Sequence, residues 1–164
     1  MPNFRVKFTR EYEAKFEKRL SKLKQHVPGV AWSSIHAVHY RRGDKIKSLC
    51  SKPKNREKYK NCKAMKDFIA EVRTYTNDSL YIATDEEAED QLDVLRSSNN
   101  TFSKLTLLPA GIKLNSIELL IFELQLLLSA KVLYIIDGAS TLTDFLVLAR
   151  GQQTIKGRSF VSKI

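Results

Sequence analysis

The chain has 164 residues, a length suited to one domain, and its 43% hydrophobic and 28% charged residues exclude disordered and fibrous classes. Its net charge of +10 is carried by the first half: residues 1–75 hold 20 Lys and Arg against 7 Asp and Glu, whereas residues 76–164 hold 8 against 11. No apolar run opens the chain as a signal peptide would, and the greasiest stretch, residues 117–136, contains Glu118, Glu123, Gln125 and Lys131, too much polarity for a membrane span of about 20 apolar residues.

Residues 11–26 predict a helix, because Tyr12, Phe16, Leu20 and Leu23 recur at steps of three and four while Lys and Arg fill the other faces. Pro28 and Gly29 stop it. Residues 34–40 alternate in part and lead into Arg41-Arg42-Gly43-Asp44, which reads as a strand ending at a glycine turn. Residues 45–62 are polar, basic and contain Pro53, so a long loop is expected there. Cys50 and Cys62 both fall in it. Two cysteines can close a small disulfide in an oxidising compartment, but their number alone does not decide it.

A second helix is expected over 63–75 from the stripe Met65, Phe68, Ile69 and Val72, and a second strand over 79–84. Thr84 or Asp85 then caps an acidic helix over 86–96, with Glu86, Glu87 and Glu89 at the positive end of the helix dipole. There follow a third strand over 104–108, a Pro-Ala-Gly break, an apolar helix over 116–130 capped by Asn115, and a fourth strand over 144–148. Residues 131–143 read equally as a strand or as buried helix. Strands separated by helical segments define an α/β, Rossmann-like layered domain with a mainly parallel sheet over 30–164, preceded by a basic helix within 1–29.

In such sheets ligands bind outside the carboxyl ends of the strands. At the end of the first strand stand His39, Arg41, Arg42, Gly43 and Asp44, and strand alternation puts His39 and Arg41 on one side. Two guanidiniums beside a glycine turn suit a pyrophosphate, because each offers a planar fork of donors, and Asp44 is placed to fix one of them. The plainer alternative is a surface arginine pair with an aspartate partner. At the end of the second strand, Thr84-Asp85 reads as an N-cap or as a carboxylate near a sugar or metal. There is no glycine-rich phosphate loop, no zinc-ligand set around His36 and His39, and no serine-nucleophile elbow. Nucleotide-cofactor, metalloenzyme and serine-hydrolase classes are therefore set aside.

Three segments, in order, resemble the nucleotide-sugar-binding lobe of the GDP-fucose-dependent fucosyltransferases, of both the α1,6 and the protein O-linked types. His39-Tyr40-Arg41-Arg42-Gly43-Asp44 is similar to that family's H-x-R-R-x-D. Leu80-Tyr81-Ile82-Ala83-Thr84-Asp85 is similar to its hydrophobic strand ending in A-T-D. Ile135-Ile136-Asp137 followed by Asp144-Phe145-Leu146-Val147 is similar to an Asp on a helix and then a strand of D-F-L-V type. The likeness covers roughly residues 30–150.

The resemblance implies one lobe of a GT-B glycosyltransferase that passes fucose from GDP-fucose to a hydroxyl of a glycan or protein. It implies that His39 and Asp137 read the guanine, that Arg41 grips the diphosphate and is needed for transfer, and that Arg42 and Asp44 support that site. Asp85 falls where the family has a carboxylate important for activity. Neither a metal nor another cofactor is expected, since guanidinium meets the diphosphate charge. The family works in the lumen of the ER or Golgi and places its acceptor between two facing lobes. This chain is thus expected to be the donor lobe, whether as a fragment, as a truncated product or as a binding lobe that has lost catalysis, and turnover by the isolated chain stays open. The competing classes are a nucleic-acid module using residues 1–75 and a non-catalytic scaffold that inherits the fold. Nucleic acid is disfavoured, because no exposed aromatics are interleaved with the basic residues.

Overall fold

His36–Tyr40 (β1) is buried along nearly its whole length, which only a strand covered on both faces sustains. The structure, a computed structural model, describes residues 8–26, 29–107, 116–134, 136 and 141–150. Ahead of β1 lies α1 (Arg10–His26), and after it come α2 (Gly43–Ser48), α3 (Pro53–Lys58) and α4 (Met65–Arg73). The chain then forms β2 (Leu80–Thr84), α5 (Glu89–Ser97), β3 (Thr101–Phe102) and the single turn α6 (Lys104–Leu107). It continues with α7 (Ser116–Ser129), β4 (Val132–Tyr134) and α8 (Thr141–Arg150). All four strands are parallel, in the order β3-β2-β1-β4, with His39 beside Ala83 and His36 beside Val132. This is the α/β, Rossmann-like layered architecture expected from the sequence.

Two cores follow from the pleat. Val38, Tyr40 and Ile82 face α4 and α5, where they meet Phe68, Val72 and Leu95. Ala37, Ala83 and Leu133 face the other way, toward Phe122 and Leu127 of α7 and Leu146 of α8. Phe16 of α1 joins that second layer, its ring 5.6 Å from Phe122, so the basic helix lies on the α7 face of the sheet. Gly29, just beyond α1, has φ +90°, a left-handed conformation natural to glycine at a helix exit.

Four expectations are corrected. Residues 45–62 are not a structureless loop: Pro53 opens α3 at its first turn, where its missing N–H costs nothing, and a Cys50–Cys62 disulfide staples the segment. The third strand is Thr101–Phe102, and the segment from Lys104 turns helical. The Ser103 N–H donates to Thr106 Oγ1 at 2.8 Å while the Thr106 N–H donates to the Ser103 carbonyl at 3.1 Å, a reciprocal cap that starts a helical turn. Residues 144–148 belong to α8, and the fourth strand is Val132–Tyr134. A strand would put Leu146 and Leu148 on one face; Leu146 is fully buried and Leu148 is 68% exposed, as a helix requires. The acidic helix starts at Glu89 rather than Glu86, and neither Thr84 nor Asp85 caps it. Glu86 reaches forward instead, accepting the N–H groups of Glu87 and Ala88. Asn115, the break at 109–111 and Asp137 lie outside the described residues.

The staple closes a short loop, so Cys50→Ser should lower stability by no more than about 3 kcal/mol in the chain-entropy picture. Urea unfolding under oxidising conditions measures this. A larger loss would mean that the bridge supports the sheet core as well.

Candidate functional site

A cleft of about 290 Å³ opens at the carboxyl ends of β1 and β2, lined by His39, Arg41, Asp85, Lys104 and Glu123 over a floor of leucines from α7 and α8. Its place follows from topology. The chain runs from β1 outward to β2 and β3, then returns to β4 on the other side of β1. In open parallel sheets the carboxyl ends of the strands are where ligands bind, and the ends of β1 and β2 meet α7 and α8 there.

His39 and Arg41 enter this cleft together, since strand alternation turns both away from the Tyr40 side. His39 is half-buried, and its Nδ1 lies 3.2 Å from Thr143 Oγ1 on α8. Burial lowers its pKa to about 4, with the Arg41 and Lys104 charges adding to the effect and Asp85 opposing it. The imidazole is therefore neutral at physiological pH. In the unfolded chain it takes up its proton near pH 6.5, so between about 6.5 and 4 the unfolded chain holds more protons than the folded one. Stability should accordingly fall as the pH drops through that window, by about 3 kcal/mol in all. His39→Gln should flatten that part of the curve; an unchanged slope would place the proton elsewhere.

Arg41 pairs with Asp44 through two parallel contacts, Nε to Oδ1 at 3.0 Å and Nη2 to Oδ2 at 2.8 Å, and its Nε stands 3.8 Å from Asp85 Oδ2. Both partners of the Arg41–Asp44 pair are more than a third exposed, at 38% and 53% of their side chains. Such a pair holds geometry but contributes at most about 1 kcal/mol, so an incoming anion can take the guanidinium over cheaply.

Arg42 goes elsewhere. Its side chain is 9% exposed and its Nε donates to Glu86 Oε2 at 2.5 Å, a buried ion pair behind the strand end. Its Nη1 is buried with no hydrogen-bond partner among the described residues. Asp85 is committed to the backbone: one oxygen, Oδ1, accepts the N–H of Arg42 at 2.5 Å and of Gly43 at 2.8 Å. Gly43 is required at this crossing, because a Cβ there would stand 2.6 Å from the Asp85 carbonyl oxygen. Of the residues expected at the site, the structure brings His39, Arg41 and Asp85 to the cleft wall, sets Asp44 behind Arg41, and turns Arg42 into the protein. His36 is also turned away, its Nδ1 2.9 Å from the Tyr134 hydroxyl and its Nε2 3.2 Å from Asp78 Oδ2.

Sequence reasoning missed the residues that hold the strand end in place. The Tyr40 hydroxyl donates to the carbonyls of Lys60 and Lys63 at 3.1 and 2.8 Å, and its ring stacks on Phe68 at 3.7 Å. Asn61, next to Cys62, donates to the Arg41 carbonyl at 2.6 Å. The disulfide-stapled segment thus grips the backbone of the very residue that faces the cleft. Lys104 and Glu123 were also missed. Glu123 carried a signal, since Leu120, Glu123, Leu124 and Leu127 form one helical stripe, and a carboxylate inside an otherwise apolar stripe requires a partner.

Among the described residues no group of three or more His, Cys, Asp or Glu could hold a metal ion, and no helix is long and apolar enough to cross a membrane. No protein-family model, no curated protein and no solved structure matches this chain.

Proposed function

We propose that the cleft binds a nucleoside-diphosphate sugar, GDP-fucose by the sequence resemblance, and that the chain is the donor-binding lobe of a fucosyl-transferring enzyme. The observation that carries this reading is the meeting of His39 and Arg41 in one cleft at the carboxyl ends of a parallel sheet. A neutral His39 has Nδ1 engaged by Thr143, which leaves Nε2 to meet a base edge. Arg41, released from Asp44, can meet two oxygens of a diphosphate with its planar fork of donors. In transfer, the acceptor hydroxyl oxygen bonds to the sugar C1 as the bond from C1 to the diphosphate breaks, and the hydroxyl proton passes to the departing diphosphate. The electron pair leaves with GDP, and Arg41 meets the charge that develops there. Asp85 supports the reaction indirectly by fixing the turn that carries Arg41. A glycan or protein hydroxyl is the proposed acceptor. The Cys50–Cys62 bridge fits an oxidising compartment such as the secretory lumen.

Calorimetric titration with GDP, ADP and a short DNA duplex tests the reading. GDP should bind more tightly than ADP. Equal affinities would remove the guanine assignment. Tight duplex binding that falls steeply with salt, and that GDP does not compete, would support the basic nucleic-acid module instead.

A further inference from the structure

Lys104, at the start of α6, and Glu123, on α7, line the same cleft as His39 and Arg41. The Glu123 side chain is only 12% exposed, and it receives the hydroxyl of fully buried Tyr81 at 3.0 Å. Burial pushes the Glu123 carboxyl above the usual range, and burial beside that carboxyl pushes the Tyr81 hydroxyl up as well. Lys104 Nζ stands 3.6 Å from Glu123 Oε2, too far for a good hydrogen bond, with its side chain 23% exposed. Lys104 is thus held in a stretched ion pair on a partly exposed wall, a contact that an incoming anion can displace at little cost. The cleft's other carboxylate, Asp85, is already engaged by two backbone N–H groups. The cleft wall therefore presents two cations, Arg41 in an exposed pair with Asp44 and Lys104 in a stretched pair with Glu123, each with a counter-charge that an anion can displace.

We propose that Lys104 and Arg41 together form a diphosphate-binding site, Lys104 taking the phosphate group that Arg41 does not, with Glu123 as the resting counter-ion from which the phosphate draws Lys104 away. The chemistry matches this division: a planar guanidinium grips two oxygens in a fixed fork, and a compact ammonium on a flexible stem follows the neighbouring phosphate. Glu123 is itself held by Tyr81, so it can let Lys104 go without being left unpaired. The proposal rests on the donor-site reading only for what the diphosphate is attached to.

Inorganic pyrophosphate is the probe, titrated calorimetrically into the full chain at low ionic strength, where charge contacts are least screened. Lys104→Met keeps the apolar stem and should weaken pyrophosphate binding tenfold or more, by about the size of a charge-assisted contact, while the melting temperature stays near that of the native chain. Lys104→Arg should restore most of the affinity. Glu123→Gln keeps an acceptor for the Tyr81 hydroxyl and removes the anion that competes for Lys104, so it should tighten pyrophosphate binding by roughly two- to fivefold. Damage to the fold does not produce a gain of that sign. A native chain that ignores pyrophosphate overturns the proposal, as does a folded Lys104→Met protein that binds it undiminished. Should pyrophosphate binding depend on Lys104 while GDP and ADP bind alike, the diphosphate site stands and the guanine reading alone is lost.

Discussion

Arg42→Ala should destabilise the fold by about 3–5 kcal/mol, the usual cost of removing one partner from a buried ion pair. The substitution leaves the Glu86 carboxylate, 5% exposed at the side chain, without the guanidinium that balances it. The damage should spread locally, because the same carboxylate accepts the N–H groups of Glu87 and Ala88 where the chain enters α5. For a chain of this size the loss corresponds to a fall in melting temperature of roughly 6–20 °C. Replacing both partners with apolar residues of similar volume, Arg42→Met with Glu86→Leu, should recover much of the loss, since no charge is then buried alone. Urea unfolding of the three proteins measures this. A single-variant loss below about 1 kcal/mol would mean that solvent reaches Glu86 and that the pair is not buried in solution.

At the neighbouring position the expected effect falls on ligand rather than fold. Arg41→Ala should weaken GDP binding about ten- to a hundredfold, the value of one charge-assisted contact, and leave the melting temperature nearly unchanged. Its pair with Asp44 is exposed on both sides and so contributes little to folding. Arg41→Lys keeps the charge and loses the fork, so it should recover only part of the affinity. The opposite pattern, an unaltered affinity with a lowered melting point, would make Arg41 a structural partner of Asp44 and end its assignment to the donor site. Calorimetry and thermal melting on one Arg41→Ala sample decide between the two outcomes.

Two adjacent arginines with opposite roles show what a sequence can and cannot convey. Alternation places Arg41 beside His39, and this much was legible. That Arg42 would find Glu86, 44 positions away, depends on β1 lying beside β2, a long-range pairing with no local trace. The central strands and α4 were readable because each carries an apolar pattern of a single period. Residues 144–148 misled because DFLVL is a short apolar run, compatible with either period; only the packing of Leu146 against the sheet face decides for helix. Residues 104–108 misled for a different reason. Leu105 and Leu107 alternate like a strand, but the Ser103–Thr106 cap engages the backbone first. Lys104 read as the start of a strand and Glu123 as an interruption of an apolar segment; they become a candidate pair only once α6 and α7 meet at the cleft.

The order in which the chain leaves the ribosome bears on how these layers assemble. Parallel neighbours are never joined by a tight turn, so each ladder in this sheet waits for a crossover to be made. β1 and β2 can pair while the second half of the chain is still being synthesised, but the edge of β1 stays open until β4 emerges, almost a hundred residues later. Phe16 waits longer still, for Phe122. At about 5–20 residues per second that interval is roughly 5–20 s, during which an apolar ring and an unpaired strand edge are exposed together. The dense positive charge of residues 1–75 then acquires a use independent of any ligand: like-charged nascent chains repel one another, which guards the half-built sheet against pairing with its copies.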